Sequence, residues 1–586
     1  MAKLMGLPAR KTDRARERMT ITEPLQLTRA QQVEQLRTER YDIVIVGGGI
    51  TGAYAAMDAA LRGYMVALLE KDDFASGTSS KSSKMIHGGL RYIEQGNLPL
   101  VRHSLLERQR LRKNARHLVQ RLPFLFPVMS VDGVFDRRLA AGFESLLWTY
   151  DLAGGWREGI LHQKLSKNEV LAHCPTFKTD NLDGGFLYFD ARADDARLTL
   201  AIARTAAFHG ATVLNGAKVT DVRRHAGKVA GVVAEVDGEQ IDVHGRSVVI
   251  AVGSWLRDWN GAAKDADVPS IRPAKGVHVA VPWLKIQNDC TVTIPVPGRN
   301  RRATITRWGD TSYLGTTDED YRGDLDDVHC TREELDFLLD GARTALNMEI
   351  EPEEVLGSIA GTRPLVAPPG GKTIEVKRNH EIRTDHDGLV TVVGGKLTTS
   401  RHMAEQTIDA AQKVLGERRR VQTKDAYVLG AAGYDPEAVV ASGGLASHLG
   451  ERYGTESAFV SQILAADTSL AAPIVAGLPY LEAEVVYSAR HELARSVDDI
   501  LSRRTRSRIQ ARDASAAAAP RVAALLQREL GFSDAERERQ VQEYRAATAK
   551  EKAILLGTAI PAATSTDPAG TTGASANQPA QMGTSA

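Results

Sequence analysis

The sequence predicts an α/β protein in three parts: a nucleotide-binding α/β domain, an antiparallel-sheet domain laid over it, and a helical C-terminal domain. Three observations predict it. Strand-like runs at Tyr41–Val46, Met65–Leu69, Ala211–Leu214 and Val248–Val252 alternate with helix-like stretches, as in folds built on a parallel sheet. From Val277 to Thr317 the pattern changes to short β runs punctuated by Gly and Pro. After about residue 425, apolar residues recur at helical spacing, as in AEVVYSARHELARSVDDILSRRTRSRIQARD.

A chain of 586 residues exceeds the ~250–300 at which single cores stop growing, so several cores are expected. The net charge is only +1, which supplies no basic field for a nucleic acid, and no such partner is expected. Cys174, Cys290 and Cys330 stand far apart without a CxxC pair. Neither a disulfide framework nor a cysteine-based metal centre is expected, and a reducing, cytoplasmic setting fits. No window approaches the ~18 consecutive apolar residues of a membrane span, and the first residues lack a signal-peptide core. Attachment to a membrane surface stays open, since it needs only an apolar patch or an amphipathic helix.

In chain order, residues 1–40 form a polar extension, basic in RKTDRARER, with a short helix ending near Arg40. Next comes YDIVIVGGGITGAYAAMDAALRGYMVALLEKDD, which reads as strand, glycine turn, Ala-rich helix and second strand ending in acid. Gly47 permits the tight turn, Gly49 lets backbone approach a pyrophosphate, and Gly52 allows close helix–strand packing. The N–H groups opening the helix at Ile50 face the phosphates. Glu70, eighteen residues after Gly52, is placed to accept from ribose hydroxyls and would repel a 2′-phosphate, which argues against NADP. The unit alone does not separate FAD from NAD. FASGTSSKSSK (Phe74–Lys84) then supplies hydroxyls and loop N–H groups where a dinucleotide would continue. In RATITRWGDTSYLGTTD two β runs flank the turn GD, a hairpin. The final stretch, from about residue 559, is Ala, Thr, Ser, Gly and Pro with almost no apolar bulk, and is expected to be disordered.

The motifs TSSKSSKMIHGGLRY, GGGITG, DARLTLA, KGVHV, GTTD, GTRPL and GGKLTT run in order from Tyr41 to about Ser400. Together they resemble the FAD-dependent glycerol-3-phosphate dehydrogenases of the D-amino-acid-oxidase-like flavoprotein superfamily, nearest the bacterial respiratory branch. The resemblance implies a Rossmann-type FAD domain over 41–424 with an interleaved substrate sheet (about 90–190 and 270–380) and a helical domain over 425–558; the extension over 1–40 and the tail over 559–586 lie outside it. It implies oxidation of sn-glycerol 3-phosphate to dihydroxyacetone phosphate by hydride transfer to non-covalent FAD, with electrons passing to a membrane quinone. A homodimer held peripherally on the inner face of the cytoplasmic membrane is also implied.

By resemblance, the cofactor would be held by Gly47, Gly49, Ile50, Gly52, Glu70, Thr78, Ser79, Ser80, Ser82, Ser83, Lys84, His87, Gly253, Gly395, Lys396, Leu397 and Thr398. Gly88 and Gly89 would let backbone pass tight against the flavin ring. Arg91, Tyr92, Thr316 and Arg378 would hold substrate, the phosphate suiting an arginine fork, with Lys377 able to replace Arg378. Arg363, His278 and Lys396 would be catalytic. The family proposes Arg363 as base, yet a guanidinium is always protonated, so it suits alkoxide stabilisation, and His278 suits proton transfer. Outside the resemblance, His278 on a β run reads as a structural histidine, Arg363 before a proline as a surface loop charge, and Lys396 after two glycines as a residue closing a turn.

In VFDRRLAAGFESLLWTYDLAGG, Phe135, Leu139, Phe143, Leu146, Leu147 and Tyr150 recur at helical spacing beside Arg137 and Arg138. Such a helix suits a membrane interface or a protein core. An oxidase passing electrons to oxygen shares the same pocket motifs. A non-catalytic flavin-binding membrane scaffold would have no use for Arg91, His278, Arg363 and Lys396 together.

Overall fold

The computed structural model describes residues 21–94, 96–129, 137–259, 270–296, 301–366 and 380–559. The basic start of the N-terminal extension, Arg378 and nearly all of the expected tail lie outside the described residues.

The first sheet has eight strands, six of them in the order His380–Thr384, Leu389–Gly394, Glu239–Ile250, Arg40–Val46, Val66–Leu69 and Thr212–Leu214. From Leu389–Gly394 to Thr212–Leu214 its pairings are parallel, with Ile45 opposite both Leu68 and Val249. Ile43, Val44 and Ile45 are fully buried, because parallel strands are covered on both faces and read as continuous apolar runs. Helices Ile50–Leu61 and Asp195–Phe208 share the core of one face. The N-terminal helix Arg29–Thr38 buries Gln32 and Leu36, and the Gln32 side chain accepts the Val213 N–H at 2.8 Å.

The strand expected at Val248–Val252 is longer, Glu239–Ile250, because its first half pairs with Lys228–Val236, which pairs in turn with Ala217–His225. Asp237-Gly238, at φ +52° and +84°, makes the turn that right-handed strand twist favours.

The second sheet has ten strands. Its order is Glu319–Asp320, Ile271–Pro282, Thr311–Gly315, Arg301–Trp308, Thr291–Val296, Val119–Met129, Leu182–Ala193 and Met85–Ile86, with Gly357–Val366 on Ile271–Pro282 and Gln163–Ser166 on Leu182–Ala193. It is antiparallel except where Thr291 and Val292 run parallel to Phe124 and Leu125. The GD turn closes the hairpin Arg301–Trp308/Thr311–Gly315, with Gly309 at φ +61°.

The C-terminal region is helical, with Glu482–His491, Arg512–Leu530 and Asp534–Leu556 sharing one apolar core. Buried ion pairs tie it to the first domain: Asp73 with Arg503 (2.6 Å) and Arg504 (2.7 Å), Arg204 with Glu456 (2.7 Å), and Arg197 with Glu492 (2.8 Å). Desolvation cancels much of such a pair's Coulomb gain, while removing one partner is costly.

Of the two alternatives for the helix Arg137–Ala153, the core accounts for most of its described apolar face; Phe135 lies outside the described residues. Phe143, Leu147 and Tyr150 are buried against Leu105, Phe126 and Phe186, so the predicted apolar face packs largely inside. Its exposed apolar residues are Trp148 and Leu152, followed by Trp156 and Leu161 in the next segment. Among the described residues, no helix is long and apolar enough to cross a membrane.

Candidate active site

The glycine turn is dictated by contact. Gly47 sits at φ +109°, and a Cβ there would meet Ala251 O at 2.6 Å; a Cβ on Gly52 would meet Gly47 O at 1.9 Å. Gly48, which the spacing argument passed over, is equally constrained by Phe74 and Glu70 at 2.7 and 2.8 Å. The run GGG was the available signal. The Ile50 N–H opening the helix donates to Ser79 Oγ at 2.9 Å. The Glu70 carboxylate accepts from the N–H of Gly48 (2.6 Å) and Asp72 (3.0 Å), and burial pushes it up to about 7.

A cavity of ≈ 920 Å³ starts at this turn and runs between the two sheets. Near the turn it is lined by Gly47, Gly49, Ile50, Glu70, Thr78 and Ser79, with Gly253 from the end of the third strand. Lys71, Trp255 and Asp326 complete that side, and Asp326 accepts from Lys71 Nζ (2.6 Å) and Trp255 Nε1 (2.8 Å). None of those three was read from the sequence, since Asp326 meets them only through folding.

Against the second sheet the lining becomes cationic. Arg363 donates through Nη2 to Thr316 Oγ1 (2.9 Å) and through Nη1 to Asp318 (3.1 Å) and Thr317 O (3.2 Å). His278 Nε2 lies 2.9 Å from Ser83 Oγ, and its ring stacks on Tyr313 at 4.7 Å and 3°. Burial, with Arg363 and Lys84 nearby, holds His278 well below the usual histidine range, so it is neutral at pH 7. Lys396 Nζ sits 3.7 Å from the Tyr92 ring centroid, a cation–π contact. Two further glycines create the room: a Cβ on Gly276 would lie 2.4 Å from Arg363 Nη2, and one on Gly315 2.1 Å from His278 Cδ2. Glycine inside a β run signals such close approach, and KGVHV and LGTTD carried that signal. Arg302 also lines the cavity, over the Phe126 ring at 5.0 Å, and was not predicted.

The loop Ser82–Gly96 joins both sides. Ser82, Ser83 and His87 line the cavity, as do Gly395, Leu397 and Thr398, and the His87 N–H donates to Thr398 Oγ1 at 3.1 Å. Arg91 opens the short helix Arg91–Glu94, whose Tyr92 reaches the cavity. Ser80 and Lys84 do not line it. The expected cofactor contact of Lys84 is corrected: at φ +60° its ammonium turns into the protein and pairs with Asp195 at 2.7 Å. Ser82 Oγ also donates to Asp195, at 2.6 Å. Gly88 and Gly89 are fixed within the protein before any ligand binds. Protein atoms demand them: a Cβ on Gly88 would meet Tyr150 Oη at 2.5 Å, and one on Gly89 the Tyr92 ring at 2.4 Å.

The family profile described as FAD dependent oxidoreductase matches residues 42–409, and that described as the C-terminal domain of alpha-glycerophosphate oxidase matches 397–537. Over 555 residues, covering 92% of this chain and 93% of the relative, the sequence is 37% identical to Glycerol-3-phosphate dehydrogenase 2 of Mycobacterium tuberculosis. The chain belongs to the FAD-dependent glycerol-3-phosphate dehydrogenase family. A mitochondrial member from Arabidopsis thaliana is 33% identical over 546 residues, 86% of this chain and 85% of its own. The X-ray structure of the glycerol-3-phosphate dehydrogenase from Bacillus halodurans complexed with FAD superimposes with a TM-score of 0.73 at 25% identity, over 90% of this chain and 97% of that one.

FAD is the family cofactor, and this chain's residues fit it. The side-chain-free turn at Gly47–Gly49 opens onto a helix N-terminus, the natural seat of a pyrophosphate. The cavity volume lies within the ~300–1,000 Å³ of ligand pockets. Among the described residues, His278 Nδ1 is buried without a hydrogen-bond partner, a polar atom that a bound ligand can satisfy.

Proposed function

We propose that this chain oxidises sn-glycerol 3-phosphate to dihydroxyacetone phosphate and passes the electrons to a membrane quinone. The observation that carries the reading is that Arg363, His278, Lys396 and Tyr92 line the same cavity as a dinucleotide turn. A dianionic substrate needs fixed cations, and the relatives named above are dehydrogenases of this phosphate ester.

Bound FAD supplies the hydride acceptor. The chain's residues do the rest. Arg91, Tyr92, Thr316 and Arg378 hold substrate. Arg363 cannot give up a proton, so it stabilises the alkoxide forming at the C2 hydroxyl. His278 takes the hydroxyl proton, with Ser83 Oγ hydrogen-bonded at Nε2, and the charge of the dianionic substrate offsets the burial and the Arg363 and Lys84 charges that hold its pKa down. Lys396 places positive charge where negative charge accumulates on reduction.

A lipid-soluble acceptor requires contact with the bilayer without a span. The surface that supports this is Trp148, Leu152, Trp156 and Leu161, residues 47, 77, 55 and 44% exposed. Tryptophan favours the headgroup level of a membrane.

The test is anaerobic addition of glycerol 3-phosphate to purified holoprotein. The yellow oxidised absorbance should bleach; a spectrum that stays unchanged ends the enzyme reading. Quinone reduction without stoichiometric peroxide separates a dehydrogenase from an oxidase.

A further inference from the structure

Away from the cavity, two chain segments bring three different metal-ligating groups together. His173 ends the helix Lys167–His173, and Asp289 and Cys290 immediately precede the strand Thr291–Val296. The Asp289 N–H donates to His173 O at 3.1 Å, which fastens one segment to the other. His173 Nδ1 lies 2.9 and 3.1 Å from the two Asp289 carboxylate oxygens. One ligand atom from each of His173, Asp289 and Cys290 lies within 4.8 Å of the others. None of the three lines the cavity of the proposed reaction.

We propose that His173, Asp289 and Cys290 form a binding site for one divalent transition cation, zinc before others. The donor set is imidazole nitrogen, carboxylate oxygen and sulfur. Calcium and magnesium take oxygen ligands, whereas a thiolate with an imidazole selects zinc-like cations. Zinc binds sulfur at about 2.3 Å and nitrogen or oxygen at about 2.0–2.2 Å in a tetrahedron. Tetrahedral ligands at those lengths are about 3.3–3.8 Å apart, so side-chain rotations of about 1 Å complete the site, and water takes the fourth position.

The surroundings suit entry and rigidity. Cys290 is buried on the inner side, while the side chains of His173 and Asp289 are 29 and 53% exposed and give access from solvent. The loop carrying Asp289 and Cys290 is held by its neighbour: Asn288 Nδ2 donates to Cys290 O (2.7 Å) and Ile305 O (3.3 Å), and Ser312 Oγ donates to Asn288 Oδ1 (2.7 Å). Ligands on a loop locked to its sheet lose little freedom on binding. Ile305 and Ser312 lie on the strands that continue to Thr304 and Gly315 at the cavity, so a bound cation braces that sheet.

The experiment uses chelator-treated, tag-free holoprotein with Co²⁺ alone, then Zn²⁺ alone. The native protein should take up one ion per chain, show the intense visible d–d bands of tetrahedral cobalt beyond the flavin absorbance, and unfold at higher temperature with zinc. Cys290→Ser and His173→Gln should each weaken uptake at least about 10-fold, because losing a direct ligand costs no less than losing its outer-shell support. Cys330→Ser should leave uptake unchanged. Absence of stoichiometric uptake by the native protein, the weak bands of octahedral cobalt, or uptake unaltered by both ligand variants overturns the site. His173 is on the surface, so its variant tests the idea even if Cys290→Ser fails to fold.

Discussion

Gly315 leaves the space that the His278 imidazole fills: a Cβ at Gly315 would stand 2.1 Å from Cδ2. The alanine variant must therefore push the ring off its Ser83 hydrogen bond. Gly315→Ala should lower kcat at least about 10-fold, in the range of general acid–base contributions, while the flavin-to-protein absorbance ratio stays native. Full turnover in this variant would remove His278 from the proposed chemistry.

The proposed roles of the cations separate in kinetics. Arg91→Ala should chiefly raise KM for glycerol 3-phosphate, since holding phosphate serves ground state and transition state alike. Lys396→Ala should chiefly lower kcat. Steady-state kinetics on both variants decides it, and the reverse pattern would exchange the assignments.

Glu70 accepts two backbone N–H groups at the glycine turn. Glu70→Ala leaves the buried Gly48 N–H without an acceptor, at about 1–3 kcal/mol. FAD should dissociate at least about 10-fold more readily, as read by recovery of free flavin fluorescence.

Asp73 anchors the C-terminal domain through Arg503 and Arg504, and those guanidinium groups hold its carboxyl down near about 2. Asp73→Asn should cost roughly 3–5 kcal/mol, as for other broken buried pairs, and lower the midpoint of thermal unfolding.

His117 is buried, and burial pushes its pKa down to about 3. The unfolded chain takes up that proton near pH ~6.5. The neutral ring thus contributes full stability above that pH and loses it as pH falls toward about 3. The loss reaches about 2 kcal/mol by pH 5. Urea unfolding of His117→Asn between pH 7 and pH 5 should show a shallower dependence than the native chain.

Membrane contact is tested at Leu152 and Trp156. Leu152→Asp with Trp156→Asp should abolish co-flotation with anionic lipid vesicles while leaving turnover with a soluble dye intact. Undiminished flotation would move the contact elsewhere.

The dinucleotide unit is legible because its reasons are local: strand, turn, helix and acid fall within Tyr41–Glu70, and Gly52 is forced by Gly47 within that unit, with Gly47 itself forced by Ala251. The GD hairpin was legible for the same reason. Asp237-Gly238 offered an equally clear turn signal between alternating β runs. Lys84 was misplaced because its partner, Asp195, follows 111 residues later and meets it only after folding. The helix Arg137–Ala153 shows a further limit. Periodicity reveals that Phe143, Leu147 and Tyr150 share a face, but only packing decides whether that face meets lipid or protein.

The loop from Ser82 to Tyr92 behaves as a ruler. Its His87 end is pinned to Thr398, in the short turn that follows the first sheet's strand Leu389–Gly394, and Tyr92 meets Lys396 of that turn a few residues on. The placement of Tyr92 in the cavity is thereby written into a count of residues. Adding one residue between Gly89 and Arg91 would shift that placement by up to ~3.3–3.6 Å, against a tolerance of ~0.5 Å for productive geometry. Sequence drift in this segment can change side chains, but an insertion or deletion would uncouple the two halves of the site while leaving each of them folded.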